Sequence, residues 1–381
     1  MEKIEKLNLP KWEKAVIKIG SAIISPQGRG CVTKHLLSIA NFINESRNQG
    51  KEIIIVSSGS FSAGLNTQPN TEKKAYISIE EKQAMSAIGQ PLLMQIWSQL
   101  FDFNVAQILL TYDDISNRKR FINAKNTIKE LLKIGVLPIV NENDTVSTDE
   151  LKIGDNDNMS AYIANLVEAD LLILCSDING LYDSDPKLNE NAKRINIVKN
   201  IDNKIYSLAS NTTNPNATGG MITKIESAEK ATSLGINTLI INGKKANNFA
   251  DLLHNKVYGT LFKKKKNTIS AKKHWILHAL PSMGEIFIDN GAKVALVENK
   301  KSLLPSGIIK IKGNFHRGNA VNIFVTSEGK MKKLGKGIVK YNSDDLNKIK
   351  GKNSSDIKNI LGYFISPVAI KRDDMIVTFS D

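Results

Sequence analysis

The sequence has few of the residues that disulfide-linked, zinc-binding or membrane-spanning proteins need. Its two cysteines, Cys31 and Cys175, are too few for a disulfide framework or a cysteine zinc site. No run reaches the roughly 18 to 20 apolar residues of a membrane span, and the N-terminal stretch carries acids and lacks the apolar centre of a secretion signal. We therefore expect free thiols, no membrane association and a cytoplasmic protein.

Acidic residues are scarce in the last third of the chain. Residues 1–258 carry a net charge of +1, whereas residues 259–381 carry +13 of the total of +14. This asymmetry is compatible with a nucleic-acid-binding surface on a separate domain. However, only 7 of the 52 basic residues are arginines, so a Lys-rich chain with solvated lysines explains the charge equally well.

Short apolar runs alternate with amphipathic stretches through the first two thirds of the chain. Runs such as "AVIKIG", "EIIIVSSG" and "ADLLILCSD" are typical of strands that are buried on both faces of a parallel sheet. The stretches between them have helical spacing, which predicts an α/β fold with helices on each face. After "LFKKKKNTISAKK", several short strands, including "AKVALVE", and one helix, "SDDLNKIKG", predict a small β-barrel-like domain.

Two lysines stand out, because ligands bind at the carboxyl ends of the strands in open parallel sheets. Lys18 lies inside an apolar strand, where a charge requires a partner. Lys224 lies in "TGGMITK", where glycines let backbone N–H groups approach a phosphate and a lysine adds positive charge. We expect Lys224 to be exposed in this loop. A Gly-Gly turn is also an ordinary helix start, so the motif alone leaves both interpretations open.

Residues 154–158, "GDNDN", form an Asp/Asn cluster directly before an apolar run. Asp and Asn side chains cap helices and favour turns, so a helix start is one interpretation. An EF-hand calcium loop is excluded, because its Gly at position six and Glu at position twelve are absent. A helix cap does not explain the second carboxylate-amide cluster, "NENDTVSTDE", a short distance upstream.

Taken in order, these motifs resemble the glutamate 5-kinases of the amino acid kinase superfamily. The resemblance implies a three-layer αβα sandwich with a mainly parallel sheet, and a PUA domain after it. It places the kinase domain at 10–262, a basic linker at 263–273 and the PUA domain at 274–381, with a core at about 282–361. The motifs that carry it are "VIKIGS", "IVSSGSFSAG", "KQAMSAIGQ", "PIVNENDTV", "IGDNDNMSA", "SDINGLYDSDP" and "TGGMITK", then "LLPSGI", "GNFHRGNAV", "KGIVKYNSDDL" and "ILGY".

The departures from the family pattern are small. Ile19 and Ser21 stand where Leu and Thr are usual, and Ser176 stands where Thr often precedes Asp177. None of them removes a charged group that the resemblance makes catalytic.

The resemblance implies transfer of the ATP γ-phosphoryl group to the side-chain carboxylate of L-glutamate, the first step toward proline. Such a carboxylate, with a pKa near about 4.3, is ionised at neutral pH and needs no general base. The enzyme must instead position this carboxylate and reduce the repulsion between its charge and that of the polyphosphate. Lysines are therefore the expected catalytic groups. The implied catalytic residues are Lys18, Lys224 and Asp157. The implied glutamate site is Ser58, Asn141, Asp144, Asp155 and Asn156, and the implied nucleotide site is Lys18, Gly20, Ser21, Ser176, Asp177, Thr218, Gly219, Gly220, Met221, Ile222, Thr223 and Lys224.

The resemblance also implies cofactors and partners. Mg²⁺ is expected with ATP, held largely by phosphate and water, so no protein ligand is assigned. A dimer or tetramer, feedback inhibition by proline and a functional link to glutamyl phosphate reductase are family expectations. The alternatives are a kinase of the same fold that acts on aspartate, acetylglutamate, carbamate or UMP, and an RNA-binding protein that acts through its PUA domain.

Overall fold

The computed structural model describes residues 7–28, 30–67, 77–147, 156–186, 188–210, 220–265, 276, 280–327 and 330–377. It divides the chain into two compact units, Met1–Thr268 and Ile269–Asp381. The division falls within the expected linker, and the predicted domain limits stay predictions. Each helix within the described ranges is too short or too polar to cross a membrane.

The first unit is built on a mainly parallel sheet. Among the described residues, eight strands lie in the order β4-β5-β3-β2-β6-β8-β10-β7. Neighbours from β4 through β8 are parallel, and β10 runs antiparallel to β8, so the expected sheet type is confirmed. Two further strands, β1 and β9, pair with each other in a separate antiparallel sheet. The described strands are β1 Leu7–Asn8, β2 Lys14–Ile19, β3 Glu52–Ser57, β4 Val105–Leu110, β5 Leu137–Glu142, β6 Leu171–Ser176, β7 Ile197–Val198, β8 Asn237–Asn242, β9 Lys256–Val257 and β10 Gly259–Phe262.

Helices cover both faces of this sheet, because alternate side chains of each buried strand point to opposite sides. One face packs with apolar residues of α2, α4 and α10. On the other face α7 packs against β2, β3, β5 and β6, and α9 against β8. The helices are α1 Ser21–Ile24, α2 Leu36–Asn48, α3 Ser60–Leu65, α4 Ile79–Gln99, α5 Tyr112–Ser116, α6 Arg118–Lys133, α7 Asn156–Leu166, α8 Asn203–Ser210, α9 Met221–Ser233 and α10 Ala246–Leu253.

Strand β2 shows how this alternation places a charge. Ala15, Ile17 and Ile19 belong to the core on the α2 side. Val16 and Lys18 therefore point to the opposite face, where α7 and α9 lie. Lys18 is thus buried beneath the helices that carry its polar partners.

Helices α3 and α4 cross at two glycines. A Cβ atom on Gly89 would overlap the carbonyl oxygen of Ser60, and one on Gly64 would overlap the carbonyl oxygen of Met85. Only glycine allows the two backbones to approach this closely. The crossing fixes the position of α3, which follows β3 directly.

In the described part of the second unit, five strands form a mixed sheet in the order β12-β11-β13-β14-β15, in which β11 and β13 are parallel. Leu303, before β12, bridges to Ile370 of β15, so the sheet curls and its two ends are linked. The elements are β11 Ser282–Ile288, α11 Asn290–Val297, β12 Ile308–Lys312, β13 Ala320–Ser327, β14 Lys330–Val339, α12 Ser343–Ile349, α13 Ile357–Leu361 and β15 Ile370–Val377.

One expected strand is a helix. The stretch "AKVALVE" lies largely in α11, where the Asp289 side chain accepts a hydrogen bond from the Ala292 backbone N–H at 2.6 Å. This N-cap starts a helix, and a short apolar run does not by itself distinguish a strand from a buried helix. The strand prediction was wrong here.

Both cysteines are free, as expected.

We predict that Gly89→Ala lowers the free energy of unfolding by about 1 to 3 kcal/mol, because the added methyl group forces α3 and α4 apart. Urea denaturation followed by circular dichroism measures the change. Ala87→Leu, on the exposed face of the same helix, is the matched control and should stay within about 0.5 kcal/mol. An equal effect of both substitutions would contradict the close crossing.

Candidate active site

Strands β2, β3, β5 and β6 end at one edge of the first unit's sheet, next to the beginnings of several helices. The turn after β3 depends on Gly59, which has a φ of 106° and forms the N-cap of α3. A side chain there would be strained, and its Cβ would lie 2.9 Å from Ile24. The turn holds Ser58 and Ser60 on either side of the glycine, both at this edge.

Three charged side chains meet beneath α7 and α9. The Lys18 ammonium lies 2.7 Å from Oδ1 of Asp157, and the Lys224 ammonium lies 2.8 Å from Oδ2 of the same carboxylate. The side chains of Lys18, Asp157 and Lys224 are 4%, 0% and 7% exposed. Lys18 thus has the partner that its place in an apolar strand requires.

The buried position of Lys224 corrects the expectation that it is an exposed loop residue. Met221 begins α9 directly after Gly220, so Lys224 lies in the first turns of the helix, on the side that faces α7. Its ammonium is buried because it forms the ion pair with Asp157. The sequence shows the helix start but not which face of the helix is covered.

Further hydrogen bonds fix the Asp157 backbone and side chain. Thr223 Oγ1 donates to Oδ2 of Asp157 at 3.1 Å. Ser160 Oγ and Ser227 Oγ both donate to its carbonyl oxygen, at 2.5 and 2.7 Å. The carboxylate is therefore held from β2, α7 and α9 at once.

Asn156, the residue before Asp157, joins a second group of polar side chains. Its Nδ2 donates to Ser58 Oγ at 2.8 Å, to Asn141 Oδ1 at 3.1 Å and to the Ser57 carbonyl at 3.2 Å. Asn141 Nδ2 in turn donates to Gln90 Oε1 at 2.9 Å. We call Ser58, Gln90, Asn141 and Asn156 the amide network.

Asp144 lies at the edge of this network. Ser60 Oγ donates to Oδ2 of Asp144 at 2.9 Å, and Asn141 Nδ2 lies 3.5 Å from the same hydroxyl. The structure therefore brings together four of the five residues implied for the glutamate site. The fifth, Asp155, lies outside the described residues.

The residues implied for the nucleotide site lie at the ends of β2 and β6 and at the start of α9. Lys18 Nζ is 3.6 Å from the position that a Cβ on Gly20 would take, so Gly20 lies beside the ion-paired lysine. Ser176 Oγ donates to Asp177 Oδ1 at 3.3 Å, at the carboxyl end of β6. Ser21, Asp177, Gly220 and Ile222 are exposed, Thr223 is half-buried and Met221 is buried. Thr218 and Gly219 lie outside the described residues.

Ser60, Gln90 and Ser227 contribute to these contacts, and sequence reasoning gave none of them a role. Ser60 and Gln90 stand inside motifs that carry the family resemblance, so their polarity was the available signal. Gln90 is 8% exposed on α4, and a buried amide on a helix requires a partner. Ser227 gave no signal, because a serine within a helix is common.

A cavity of about 340 Å³ lies beyond the amide network, at the ends of β4 and β5. In the sheet order β5 is two strands away from β2, which carries Lys18. The cavity adjoins the turn that carries Asp144. Its lining includes Thr111, Tyr112, Asp113, Asp114, Arg120, Asn143, Val146 and Ser147.

The donor chemistry of the site fits a metal ion that is carried by its substrate. Across the ranges that the structure describes, no three His, Cys, Asp or Glu side chains are grouped as metal ligands. The Asp157 carboxylate is committed to two ammonium groups. Mg²⁺ commonly binds through substrate phosphates and water with few protein ligands, so this donor set suits it.

Known families and relatives match both units. The amino acid kinase family matches residues 13–242, and the PUA domain matches residues 284–361. The glutamate 5-kinase of Salinibacter ruber is 50% identical over 97% of this chain and 98% of its own, and that of Idiomarina loihiensis is 48% identical over 97% and 99%. The UMP kinase structure from Bacillus anthracis covers 67% of this chain and 98% of its own, at 16% identity and a TM-score of 0.47.

The chain belongs to the amino acid kinase family, and within it to the glutamate 5-kinases that carry a PUA domain after the kinase domain. It is therefore an enzyme of the phosphotransferase class. The expected combination of an α/β kinase fold with a small PUA domain is confirmed, and the described sheet of the PUA domain is mixed.

We predict that Asp157→Asn lowers the free energy of unfolding by about 3 to 5 kcal/mol, because it leaves two buried lysines without their carboxylate. Urea denaturation at neutral pH measures the loss. Glu168→Gln is the matched control, since Glu168 forms an exposed ion pair with Lys125 at 2.7 Å and its removal should cost at most about 1 kcal/mol. A loss of the same small size for Asp157→Asn would show that this carboxylate does not hold the lysines.

Proposed function

We propose that the enzyme transfers the γ-phosphoryl group of MgATP to the side-chain carboxylate of L-glutamate, giving L-glutamyl 5-phosphate and ADP. The observation that carries this proposal is the pair of buried lysines on Asp157, placed directly beside the amide network. Two ammonium groups and one carboxylate leave a surplus of one positive charge among these three side chains, which favours an anionic ligand at this edge of the sheet.

In the proposed step a glutamate carboxylate oxygen attacks the γ-phosphorus while the bond to the β,γ-bridging oxygen breaks. The electron pair of that bond leaves with ADP, and no proton is transferred, because the attacking carboxylate is already ionised. The barrier comes from alignment and from repulsion between two anions. Lys18 and Lys224 would donate to oxygens of the transferring group, and Asp157 would hold both ammonium groups in place.

The amide network is the proposed site for glutamate, together with Asp144 and Asp155. Asp144 would pair with the α-ammonium group, and Ser60 keeps its carboxylate oriented through the 2.9 Å hydrogen bond. Asn156 and Asp157 are adjacent, so the site that holds the acceptor lies next to the group that holds the lysines. This proximity aligns the two substrates.

The proposed nucleotide site lies on the other side of the lysines. Backbone amides at Gly20, Ser21, Gly219 and Gly220 would contact phosphate oxygens, and the positive end of α9 would favour the polyphosphate. The rest of the proposed site is Ser176, Asp177, Thr218, Met221, Ile222 and Thr223. Mg²⁺ would arrive with ATP and neutralise phosphate charge.

Several wider properties remain proposals. We infer a cytoplasmic homo-oligomer, a dimer or tetramer, whose labile acyl phosphate product is passed to glutamyl phosphate reductase. RNA binding by the PUA domain rests on the +13 charge of residues 259–381 and on the family expectation that PUA domains commonly bind RNA. Binding to structured RNA that persists at physiological salt would support it, whereas loss on modest addition of salt would indicate nonspecific attraction of lysines.

We predict that hydroxamate formation with ATP, Mg²⁺ and hydroxylamine is strong with L-glutamate and near background with L-aspartate, because a carboxylate one methylene shorter does not reach the phosphoryl group. ADP release with N-acetylglutamate, carbamate and UMP should also stay near background. Preferred turnover of any of these alternatives would overturn the proposed substrate. Adding proline to the glutamate assay tests feedback inhibition in the same experiment.

We predict that Asp144→Asn raises the KM for glutamate by about tenfold to a hundredfold and changes kcat little, because it removes an ionic contact made to the bound substrate throughout the reaction. Steady-state kinetics at saturating ATP measures both constants. Asp113→Asn is the control, because it removes a carboxylate that lines the adjoining cavity but is not part of the proposed glutamate site. An unchanged KM for glutamate in Asp144→Asn would refute the assignment.

A further inference from the structure

Helix α9 is attached to the beginning of α7 at three points along one side. Lys224 donates to the Asp157 carboxylate at 2.8 Å, Ser227 donates to the Asp157 carbonyl at 2.7 Å, and Lys230 donates to Asn158 Oδ1 at 2.5 Å. Residues three apart are neighbours on a helix surface, so each of these contacts adjoins the next and together they form one polar seam against the beginning of α7. The first contact belongs to the ion-paired site, whereas the last lies outside it.

Lys230 is held by more than one feature of α7. Its ammonium lies 5.6 Å from the centroid of the Tyr162 ring, and Tyr162 is four residues after Asn158 on the same side of α7. Burial lowers the pKa of Lys230, and the nearby carboxylates of Glu226 and Glu229 oppose this shift. The cation is thus placed between a buried amide and an aromatic face.

We propose that Lys230 is a positioning residue for the phosphoryl-transfer site, which fixes α9 on α7 and thereby sets the place of the Lys224 ammonium. Lys224 and Lys230 are six residues apart, which is about 9 Å along the helix axis. Two contacts this far apart fix the direction of α9 against the beginning of α7 more firmly than the contacts at Lys224 and Ser227, which are only three residues apart. They act together with the packing of α9 against β8.

The inference rests on the proposed catalytic role of Lys224. It predicts that the loss of the Lys230 contact lowers turnover and leaves glutamate binding unchanged. The described residues of the proposed glutamate site lie directly after β3, on α4, at and just after the end of β5 and at the first position of α7, and none of them lies on α9. A shift of α9 would therefore move the Lys224 ammonium and leave the amide network in place. Because displacement of a catalytic group by about 1 Å can cost up to about a hundredfold in rate, a modest shift is enough.

The test compares Lys230→Met with the wild-type enzyme in full-length protein at saturating ATP. We expect kcat to fall about tenfold or more, with the KM for glutamate within about twofold. Lys230→Arg, which keeps the donors and the cation over Tyr162, should recover most of kcat. Lys125→Met removes a lysine from an exposed ion pair and is the control, with both constants unchanged.

A double substitution distinguishes a positional role from a merely structural one. Asn158→Leu should lower kcat by a similar factor, and Asn158→Leu with Lys230→Met should be no worse than the poorer single variant, because both remove the same contact. Melting temperatures measured alongside show whether a loss of kcat simply follows a loss of folded protein. If Lys230→Met does not fold, Lys230→Gln replaces it in every comparison.

Several results would overturn the inference. They are wild-type kcat in Lys230→Met or Lys230→Gln, a KM that rises as much as kcat falls, additive effects in the double variant, or no recovery in Lys230→Arg. If the wild-type enzyme turns over glutamate and any of these is seen, only the role of Lys230 fails. A wild-type enzyme without glutamate-dependent turnover would overturn the proposed function as well.

Discussion

The Asp157 carboxylate is the group on which the rest of the site depends. Two ammonium groups from different elements, Lys18 on β2 and Lys224 on α9, converge on its two oxygens in a region almost closed to solvent. Neither lysine would be stable at such depth without an opposite charge. The carboxylate therefore decides where both cations lie, and it also links the central strand of the sheet to the two helices that cover it.

The beginning of α7 connects three groups of side chains through adjacent residues. Asn156 reaches the amide network on β3 and β5, Asp157 reaches the two lysines, and Asn158 reaches Lys230 on α9. Successive residues of a helix point about 100° apart, so three neighbours contact three separate groups. The described residues of the Asp/Asn cluster therefore begin α7 and also connect it to β2, to α9 and to the ends of β3 and β5.

Much of the fold and part of the site could be predicted from local pattern. The buried strands were visible as continuous β-branched runs, and Lys18 was conspicuous as a charge within one of them. Local pattern did not predict the features that depend on contacts between distant parts of the chain. "AKVALVE" became a helix through the Asp289 cap, and Lys224 became buried because α9 turns that side toward α7. Ser227 and Lys230 carried no signal, because their importance depends on which residues of another helix they meet.

The sequence by itself determined the alternation of strands and helices, the chemical groups at the strand ends and membership of the glutamate 5-kinases. Apolar periodicity and short polar motifs are local properties, so they can be read without knowing contacts. Only the tertiary structure decided that Lys18, Asp157 and Lys224, separated by as many as 206 positions in the sequence, form one ion-paired group. The physical reason is the parallel sheet, which brings the ends of distant strands to a single edge and makes one buried carboxylate the partner of both lysines.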